Sequence, residues 1–413
     1  MARYLHYYNT QQEFNQAYRG RQYNEPWTSY VGDSGMTVNF DKNQPNKYEV
    51  PLTFDMMEDG IIYICYDGED DSYAREIAYS INGGELVWAQ PTMDESVEIE
   101  VEKYDVVQFF GDNDSIAGVD ESSNFYYTYF SCEAKFNVRG NIMSLLDSAD
   151  FRETENFPNN DGYVFSYLFN ECGGLLDAHN LLLPITTLTS HCYECMFIGC
   201  HRLARAPELP ATSLYDYCYY GMFSGCSGLR VAPELPATDI SEYCYANMFY
   251  HCSSLRTAPE LPATELQTYC YGDMFYGCSN LLVAPELPAT SLASNCYRFM
   301  FCDCTSLFAA PSLPATELQT YCYGDMFRRC SNLTMVPELP ATTLVNNCYG
   351  NMFNGCWNLI YIKAMFTTTP STTYTNNWVN GVSQTGTFVK NGAAQWDVRG
   401  NHGIPNNWTV EIA

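Results

Sequence analysis

The chain has 413 residues and a formal net charge of −28 at pH 7, although only 16% of its residues are charged. That balance argues against a duplex nucleic-acid partner, because neutralising phosphates requires a basic stripe, and it also argues against docking on an anionic membrane surface. Tyrosine occurs 34 times, which is typical of globular or interaction proteins and not of a charged, disordered polymer.

The first residues carry no recognisable targeting segment. The start, Met1 to Asn9, lacks the apolar run that a signal peptide requires. No stretch approaches the roughly 18 uninterrupted apolar residues of a membrane-spanning helix, so we expect no membrane insertion. We therefore expect a chain that works where it is made or leaves the cell by another route.

Two different segments precede the rest of the chain. Residues 1–45 form a polar arm rich in tyrosine, and residues 46–137 alternate in polarity as β-strands do. The alternation is clearest in four segments, which begin at Tyr48, Gly60, Ser96 and Asp105. Turn clusters such as Asn82–Gly84 separate them. We predict an antiparallel β-sandwich over 46–137 that serves as an anchoring or assembly domain.

A 26-residue repeat dominates the following region. One column of cysteines runs from Cys192 to Cys348 and another from Cys200 to Cys356, both with this period. A leucine column from Leu203 to Leu359, a tyrosine column and Met-Phe pairs keep the same spacing. One unit cannot bury its own apolar face, so neighbouring units must stack into a solenoid.

Each unit predicts a short strand followed by a short return helix. In one unit, Leu229–Leu235 is interpreted as a strand ended by Pro236, and Ile240–Phe249 as a helix or 3-10 segment. Pro233 and its counterparts lack the ladder donor, so we expect only about two or three paired residues per unit.

The predicted fold class is therefore mixed α+β. We expect an N-terminal antiparallel β-sandwich, then a leucine-rich-repeat solenoid with 26-residue units over 138–362, and a C-terminal cap over 363–413.

The order of residues in each unit resembles the BspA-like leucine-rich repeat. The matching string is Met-Phe-x-x-Cys-x-x-Leu, as in Met274 to Leu281, and it recurs in register over roughly residues 165–362. The version with Ala-Pro-Glu-Leu-Pro-Ala-Thr is similar to proteins of gut Bacteroidales and of their tailed phages, including crAss-like ones. The resemblance implies surface or virion adhesion and no known chemistry. Bacterial members usually begin with a secretion signal, so the start of this chain favours the phage-encoded group.

Several residue patterns could carry metal chemistry. Residues of the types that bind zinc cluster at His191, Cys192, Cys195, Cys200 and His201. Cys192 and Cys200 already belong to the repeating columns, so only the other three are additional. Acidic loop residues could hold Ca²⁺, although no twelve-residue calcium loop is present; they are Asp67, Glu69, Asp70, Asp71, Asp112, Asp114 and Asp120. We expect no cofactor, with calcium as the alternative.

The repeating cysteines are expected to be reduced, buried thiols. Pairing across the two columns within a unit would span about 12 Å of helix, which is too far for a disulfide. Free cysteine is among the most buried residue types.

Two other columns allow a packing or a binding interpretation. The tyrosine column from Tyr193 to Tyr349 is interpreted as packing, with its hydroxyls at the surface, and a carbohydrate-stacking ladder is the alternative. A glutamate column comprises Glu208, Glu234, Glu260, Glu286 and Glu338. Each carboxylate is interpreted as accepting hydrogen bonds from nearby backbone N–H groups, and a binding site for a cation or a basic partner is the alternative.

Positions that vary while the frame stays constant are the better candidates for partner binding. One column lies next to the strand leucine and includes Arg230, Arg256, Leu282 and Phe308. A second candidate patch comprises the tips Tyr250, Tyr276 and Arg328. Arginine and aromatic residues in a row are typical interface anchors.

The sequence offers no nucleophile, base and orienting group in a recognisable motif, so we predict that the protein is not an enzyme. We predict a structural or adhesion protein on the surface of a phage virion, with the solenoid as its binding module. Its partners would be other virion proteins, a host surface protein or glycan, and further copies of itself in a homo-oligomer. The alternatives are a bacterial cell-surface adhesin and a secreted glycan-active enzyme with an accessory repeat.

Overall fold

The computed structural model describes residues 49–154, 156–158 and 162–413, together with the backbone of two short strands near the start. These strands, β1 (Tyr30–Val31) and β2 (Thr37–Val38), pair antiparallel. The rest of the predicted 1–45 arm lies outside the described residues.

Ten strands form two sheets in the N-terminal part. They are β3 (Leu52–Met56), β4 (Gly60–Asp67), β5 (Ile77–Ile81), β6 (Val87–Ala89), β7 (Val97–Val101), β8 (Val106–Phe110), β9 (Ala117–Val119), β10 (Phe125–Cys132), β11 (Phe136–Asn141) and β12 (Leu175–Leu182). One sheet has four strands in the order β7-β4-β10-β9, and the other has six in the order β12-β11-β3-β8-β5-β6. The pairs within both sheets are antiparallel except for β11 with β12.

The core of this sandwich forms because alternate side chains along each strand face the opposite sheet. Burial alternates residue by residue along the whole of β10. Phe130 on β10 contacts Phe54 and Phe109 of the six-stranded sheet, with ring centroids 5.1 and 4.6 Å apart. Three of the four segments that the alternation indicated coincide with β4, β7 and β8, and the segment that begins at Tyr48 overlaps β3 only from Leu52 onward.

The solenoid joins the sandwich edge to edge. Strand β12 belongs to the leading repeat unit and pairs in parallel with β11 of the six-stranded sheet. Later coils extend this edge by single bridges, from Asp177 to Arg205 and from Arg205 to Val231. One hydrophobic core runs through both parts. The joint is therefore a shared sheet, and the expected boundary at 137/138 falls inside β11.

The prediction of a mixed α+β fold is wrong, because the described chain is almost entirely β and turn structure. Its helical segments are short 3-10 turns, Asp71–Tyr73 and Ile142–Leu145. The return helix expected over Ile240–Phe249 is a run of turns in the structure. The repeats therefore build a solenoid of β-bridges and turns.

The return segment of each coil, which we call the turn ladder, uses its backbone hydrogen bonds in two directions. In the coil at 217–226, the N–H of Tyr219 donates to the carbonyl of Cys244 in the next coil at 3.1 Å. The N–H of Tyr220 instead donates back to the carbonyl of Tyr217 at 3.0 Å. An α-helix would direct every N–H four residues back along its own chain. In the turn ladder, half of the backbone N–H groups instead donate to carbonyls of the neighbouring coil.

The backbone N–H groups can alternate in direction because every fourth residue has a left-handed backbone conformation, with positive φ. In the same coil, Tyr217, Gly221 and Gly225 have φ values of 57°, 57° and 76°. Side chains with a Cβ rarely adopt this region, and asparagine and aspartate tolerate it best after glycine. Several later coils place such residues at the position of Gly221, namely Asn247, Asp273, Asp325 and Asn351.

The strand side of each coil is paired more sparsely than expected. Ahead of the proline, several coils make one isolated bridge, such as Thr257 with Val283, and a second bridge, such as Glu265 with Ser291, follows the prolines. The segment Leu229–Leu235 is accordingly not a strand. A longer strand forms at β13 (Met335–Leu339), where the register shifts around Pro337. The prolines explain the sparse pairing, because they lack a backbone donor.

The repeated residues stack in register and form the solenoid core. The cysteine, leucine, tyrosine, methionine and phenylalanine columns are all buried. Both Met222 and Phe223 are fully buried. All cysteines of the described chain are free, and Cys65 alone among them is not fully buried.

Beyond the last full repeat the chain makes further coils whose strands pair over four residues. Strands β14 (Tyr361–Ala364), β15 (Thr387–Lys390) and β16 (Thr409–Ile412) join β13 in a four-stranded parallel sheet. Trp378, Trp396 and Trp408 are buried there, and the indole N–H of Trp378 donates to the carbonyl of Gly403 at 2.9 Å. These large side chains cover the end of the apolar core.

Candidate binding surface

The residues with metal-ligand character do not converge. Within the ranges that the structure describes, no three His, Cys, Asp or Glu side chains come close enough to hold a metal ion. Nδ1 of His191 lies 2.6 Å from Oε2 of Glu194. Asp120, one of the acidic loop residues, accepts hydrogen bonds from the backbone N–H groups of Ser122 and Asn124 and so stabilises its own turn.

The repeating tyrosine column is a packing element. From Tyr193 to Tyr349 its side chains are at most 1% exposed, and neighbouring rings stack, as Tyr219 and Tyr245 do with centroids 5.9 Å apart. The expectation of surface hydroxyls is wrong, because the whole side chains are buried. Since the rings are covered, they cannot stack a sugar, and the carbohydrate-ladder alternative is excluded for this column.

The variable column is brought together as expected. Arg230, Arg256, Leu282 and Phe308 follow one another on successive coils, and all four are exposed. The backbone N–H of Leu282 donates to the carbonyl of Arg256 at 3.1 Å, which holds these coils in register. Phe308 is 55% exposed.

A second exposed column widens this surface. Val231, Val283 and Met335 follow the variable positions by one residue and are 38, 48 and 56% exposed. Ile360 continues the variable column itself and is 49% exposed. We call this surface the docking stripe; it comprises Arg230, Val231, Arg256, Leu282, Val283, Phe308, Met335 and Ile360.

The two arginines of the docking stripe differ from other solenoid arginines because they have no carboxylate partner in the described part of the chain. Arg230 and Arg256 make no ion pair or side-chain hydrogen bond with any residue that the structure describes. Other solenoid arginines do pair with carboxylates, as Arg205, Arg328 and Arg329 do with Asp177, Asp325 and Asp303. The stripe therefore offers unpaired positive charge at one end and apolar side chains at the other.

The second predicted patch lies on the turn ladder and is less open. Tyr250 and Tyr276 stack with their ring centroids 4.9 Å apart, and both are partly buried. Arg328 lies two coils beyond Tyr276 and forms an ion pair with Asp325 at 3.3 Å. Buried Cys302 occupies the intervening position. The two tyrosines therefore contribute to a contact between coils, whereas Arg328 is paired within its own coil.

An aromatic stack on the turn ladder was not foreseen from the sequence. Tyr163, His191, Tyr217, Tyr243 and Tyr269 stack with ring centroids 4.3 to 5.0 Å apart. The signal was available, since aromatic residues recur at the position just before the first cysteine column. Each ring covers the face of its neighbour, so the stack stiffens the solenoid and leaves only ring edges for a ligand.

A charged cluster continues this stack on the following coils. The guanidinium of Arg298 lies 4.6 Å from the ring centroid of Tyr321. Burial raises the pKa of the Asp273 and Asp325 carboxyls, and the positive charge of Arg298 partly offsets that effect at both. The hydroxyl of Tyr269 donates to Asp273 at 2.5 Å. The Tyr269–Asp273 bond lies within one coil, whereas the contact of Arg298 with Tyr321 reaches the next coil, which indicates a structural role.

The glutamate column lies at exposed positions on the strand side. Glu338 forms an ion pair with Lys363 of β14 at 2.7 Å, and Glu208 and Glu234 also have partners. The column is thus at least partly engaged within the protein, but the partner of Glu338 is a lysine on the next strand and not the local backbone donor that we expected, so the local interpretation stays a prediction.

Comparison of the chain with family models, curated proteins and solved structures finds no match. In the part of the chain that the structure describes, no helix has the length and apolar character needed to cross a bilayer. The geometry itself defines the class of protein: a β-solenoid that continues the sheet of a β-sandwich and carries an exposed stripe of variable residues.

Proposed function

We propose that this protein is a non-enzymatic structural and adhesion protein of a phage virion, with the solenoid as its binding module. The docking stripe carries this proposal, because its residues change from coil to coil while the buried frame stays the same. A rigid frame with variable outward positions suits recognition of a partner. Many copies on one particle would multiply a weak contact into firm attachment.

The thiols and the repeat pattern support the virion as the location. The described chain holds free cysteines and no disulfide, which suits folding in a reducing cytosol, where phage proteins are made. The resemblance of the units to BspA-like repeats of gut phages points the same way. The partner would be a host surface protein or glycan, or a neighbouring virion protein.

Localisation tests the proposal directly. Mass spectrometry of purified particles should find the chain, and antibodies to the solenoid should label intact particles. Absence from particles would reject the proposal, and recovery from the bacterial envelope would favour a cell-surface adhesin.

Adsorption measurements test the role of the docking stripe. Particles that carry Arg256→Glu with Phe308→Ser should bind host cells less well than the wild type. Lys103→Glu, which alters an exposed residue between β7 and β8, is the control and should leave adsorption unchanged.

A further inference from the structure

The six-stranded sheet of the sandwich ends in an apolar edge strand. Among the described strands, β6 pairs with β5 alone. Leu86, Val87 and Trp88 are 51, 46 and 44% exposed, so both faces of the strand meet solvent. Met93, which follows β6, is 48% exposed.

Acidic residues border this apolar strand on both sides in the sequence. Glu85 precedes it, Asp94 and Glu95 follow it, and all three are exposed. None of these three carboxylates makes an ion pair with a residue of the described chain. We call Glu85–Trp88 together with Met93, Asp94 and Glu95 the acidic edge.

The other sheet shows how an edge strand is normally protected. Strand β7 is also an edge, and it carries the exposed charges Glu98 and Glu100 within the strand. Charged side chains on an edge strand discourage pairing with another chain. Strand β6 has no charge within it and instead exposes a tryptophan, a residue that commonly anchors interfaces.

The acidic edge and the docking stripe are complementary. Both expose large apolar side chains, Trp88 on one and Phe308 on the other. One is bordered by unpaired carboxylates and the other by the unpaired guanidinium groups of Arg230 and Arg256. Contact between them would bury apolar surface and bring opposite charges together.

The topology keeps these two surfaces apart within one chain. In the six-stranded sheet, β6 and β12 are opposite edges, separated by about 24 Å at the usual strand spacing. The solenoid begins at β12 and its coils extend that edge away from β6. A chain therefore cannot satisfy its own acidic edge with its own docking stripe.

We infer that the acidic edge of one copy of this chain binds the docking stripe of a second copy. The inference rests on the proposed function, since it names a second copy as a partner of the same stripe. The contact is heterologous, so it leaves one acidic edge and one stripe free and can propagate into a ring or a row. Contacts between like surfaces would bring carboxylates to carboxylates or arginines to arginines, which charge repulsion opposes.

Charge reversal with the full chain tests the inference. Sedimentation velocity should show self-association of the wild type that increases with protein concentration and weakens with salt. Arg230→Glu with Arg256→Glu should raise the dissociation constant at least tenfold, and so should Glu85→Arg with Glu95→Arg. Lys103→Glu with Arg152→Glu changes two exposed charges elsewhere and should have little effect.

Mixing the two charge-reversed proteins gives the decisive measurement. Each alone presents like charges on both surfaces, whereas the mixture restores opposite charges at every contact. We therefore expect hetero-association in the mixture that is at least tenfold tighter than the self-association of either protein alone. Circular dichroism and thermal unfolding of each variant establish that it is folded.

Three results would overturn the inference: a wild type that stays monomeric at all concentrations, association that the stripe variant does not weaken, or a mixture that fails to associate. If only the edge variant weakens self-association, the contact is instead pairing of β6 with β6 of a second copy. Localisation is measured separately, so a self-associating chain that is absent from particles would reject the proposed function and leave this contact standing.

Discussion

The Sγ of Cys278 lies 3.1 Å from the backbone carbonyl oxygen of Phe249 in the preceding coil and donates a hydrogen bond to it. The same carbonyl also accepts the N–H of Cys252 at 3.0 Å. The thiol bond recurs in every full repeat, with Sγ-to-oxygen distances of 3.0 to 3.1 Å, at Cys200, Cys226, Cys252, Cys278, Cys304, Cys330 and Cys356. This cysteine column therefore bonds coil to coil besides filling space.

Replacing one of these thiols should destabilise the solenoid. Cys278→Ala removes the hydrogen bond and leaves a small void in a packed core, so we expect the free energy of unfolding to fall by about 1–2 kcal/mol. Chemical denaturation measures the change. Cys65→Ala, at a half-exposed position in the sandwich, is the matched control and should change stability by less than about 0.5 kcal/mol. Equal losses at both positions would contradict the structural role of the column.

Thiol reagents should discriminate sharply between the native and unfolded protein. Burial raises the pKa of Cys132 and Cys348 to about 11 and that of Cys192 to about 12. The reactive thiolate is therefore scarce at these sites near pH 8, and reagent access is also blocked. Native protein should react at Cys65 first, and protein unfolded without reductant should react at all 19 cysteines. A shortfall in the unfolded protein would reveal disulfides.

The protein should lose stability at alkaline pH. The folded-state pKa values of the buried thiols and tyrosines lie above their ordinary values of 9.0 and 10.0. Above about pH 9 the unfolded chain thus binds fewer protons than the folded chain, so the free energy of unfolding falls as pH rises. Each such group contributes up to about 1.4 kcal/mol per pH unit. Denaturant midpoints measured from pH 7 to 10 should decline steeply, and a flat profile would contradict this burial.

The left-handed positions of the turn ladder should tolerate asparagine better than valine. Gly225 has a φ of 76°, and a Cβ there would come no closer than 3.4 Å to its neighbours in Gly199. Gly225→Val should therefore destabilise by about 1–2 kcal/mol through backbone strain. Gly225→Asn should cost distinctly less, because asparagine visits this region more readily. Thermal unfolding of both variants compares them, and equal losses would show that space and not conformation is limiting.

The turn ladder shows where sequence reasoning failed. A core pattern of Cys-Tyr, then Met-Phe, then Cys at spacings of four resembles the periodicity of an amphipathic helix. The same spacing arises from a run of turns with a left-handed residue every fourth position. Glycine, asparagine and aspartate at Gly221, Asn247 and Asp273 were the available signal. Tyrosine and phenylalanine at equivalent positions, such as Tyr217 and Phe299, obscured it.

The joint between the two parts could not be read from the sequence. Pairing of β11 with β12 joins Phe136 to Leu175 across a long connection. Nothing in the composition of either segment indicates which strand it pairs with. Which edge of the sandwich accepts the first coil depends on the order of all six strands, and that order is a property of the packed sheet.

The 26-residue period, by itself, determined that the chain stacks coils, which columns are buried, and which positions are free to vary, because identical units can shield their apolar side chains only by lying in register. Tertiary structure alone decided that the coils return through turns, that the tyrosine hydroxyls are buried, and that Arg230 and Arg256 of the variable column make no ion pair within the described chain. Those outcomes depend on hydrogen bonds and contacts between residues at least one coil apart, and a linear pattern does not encode their geometry.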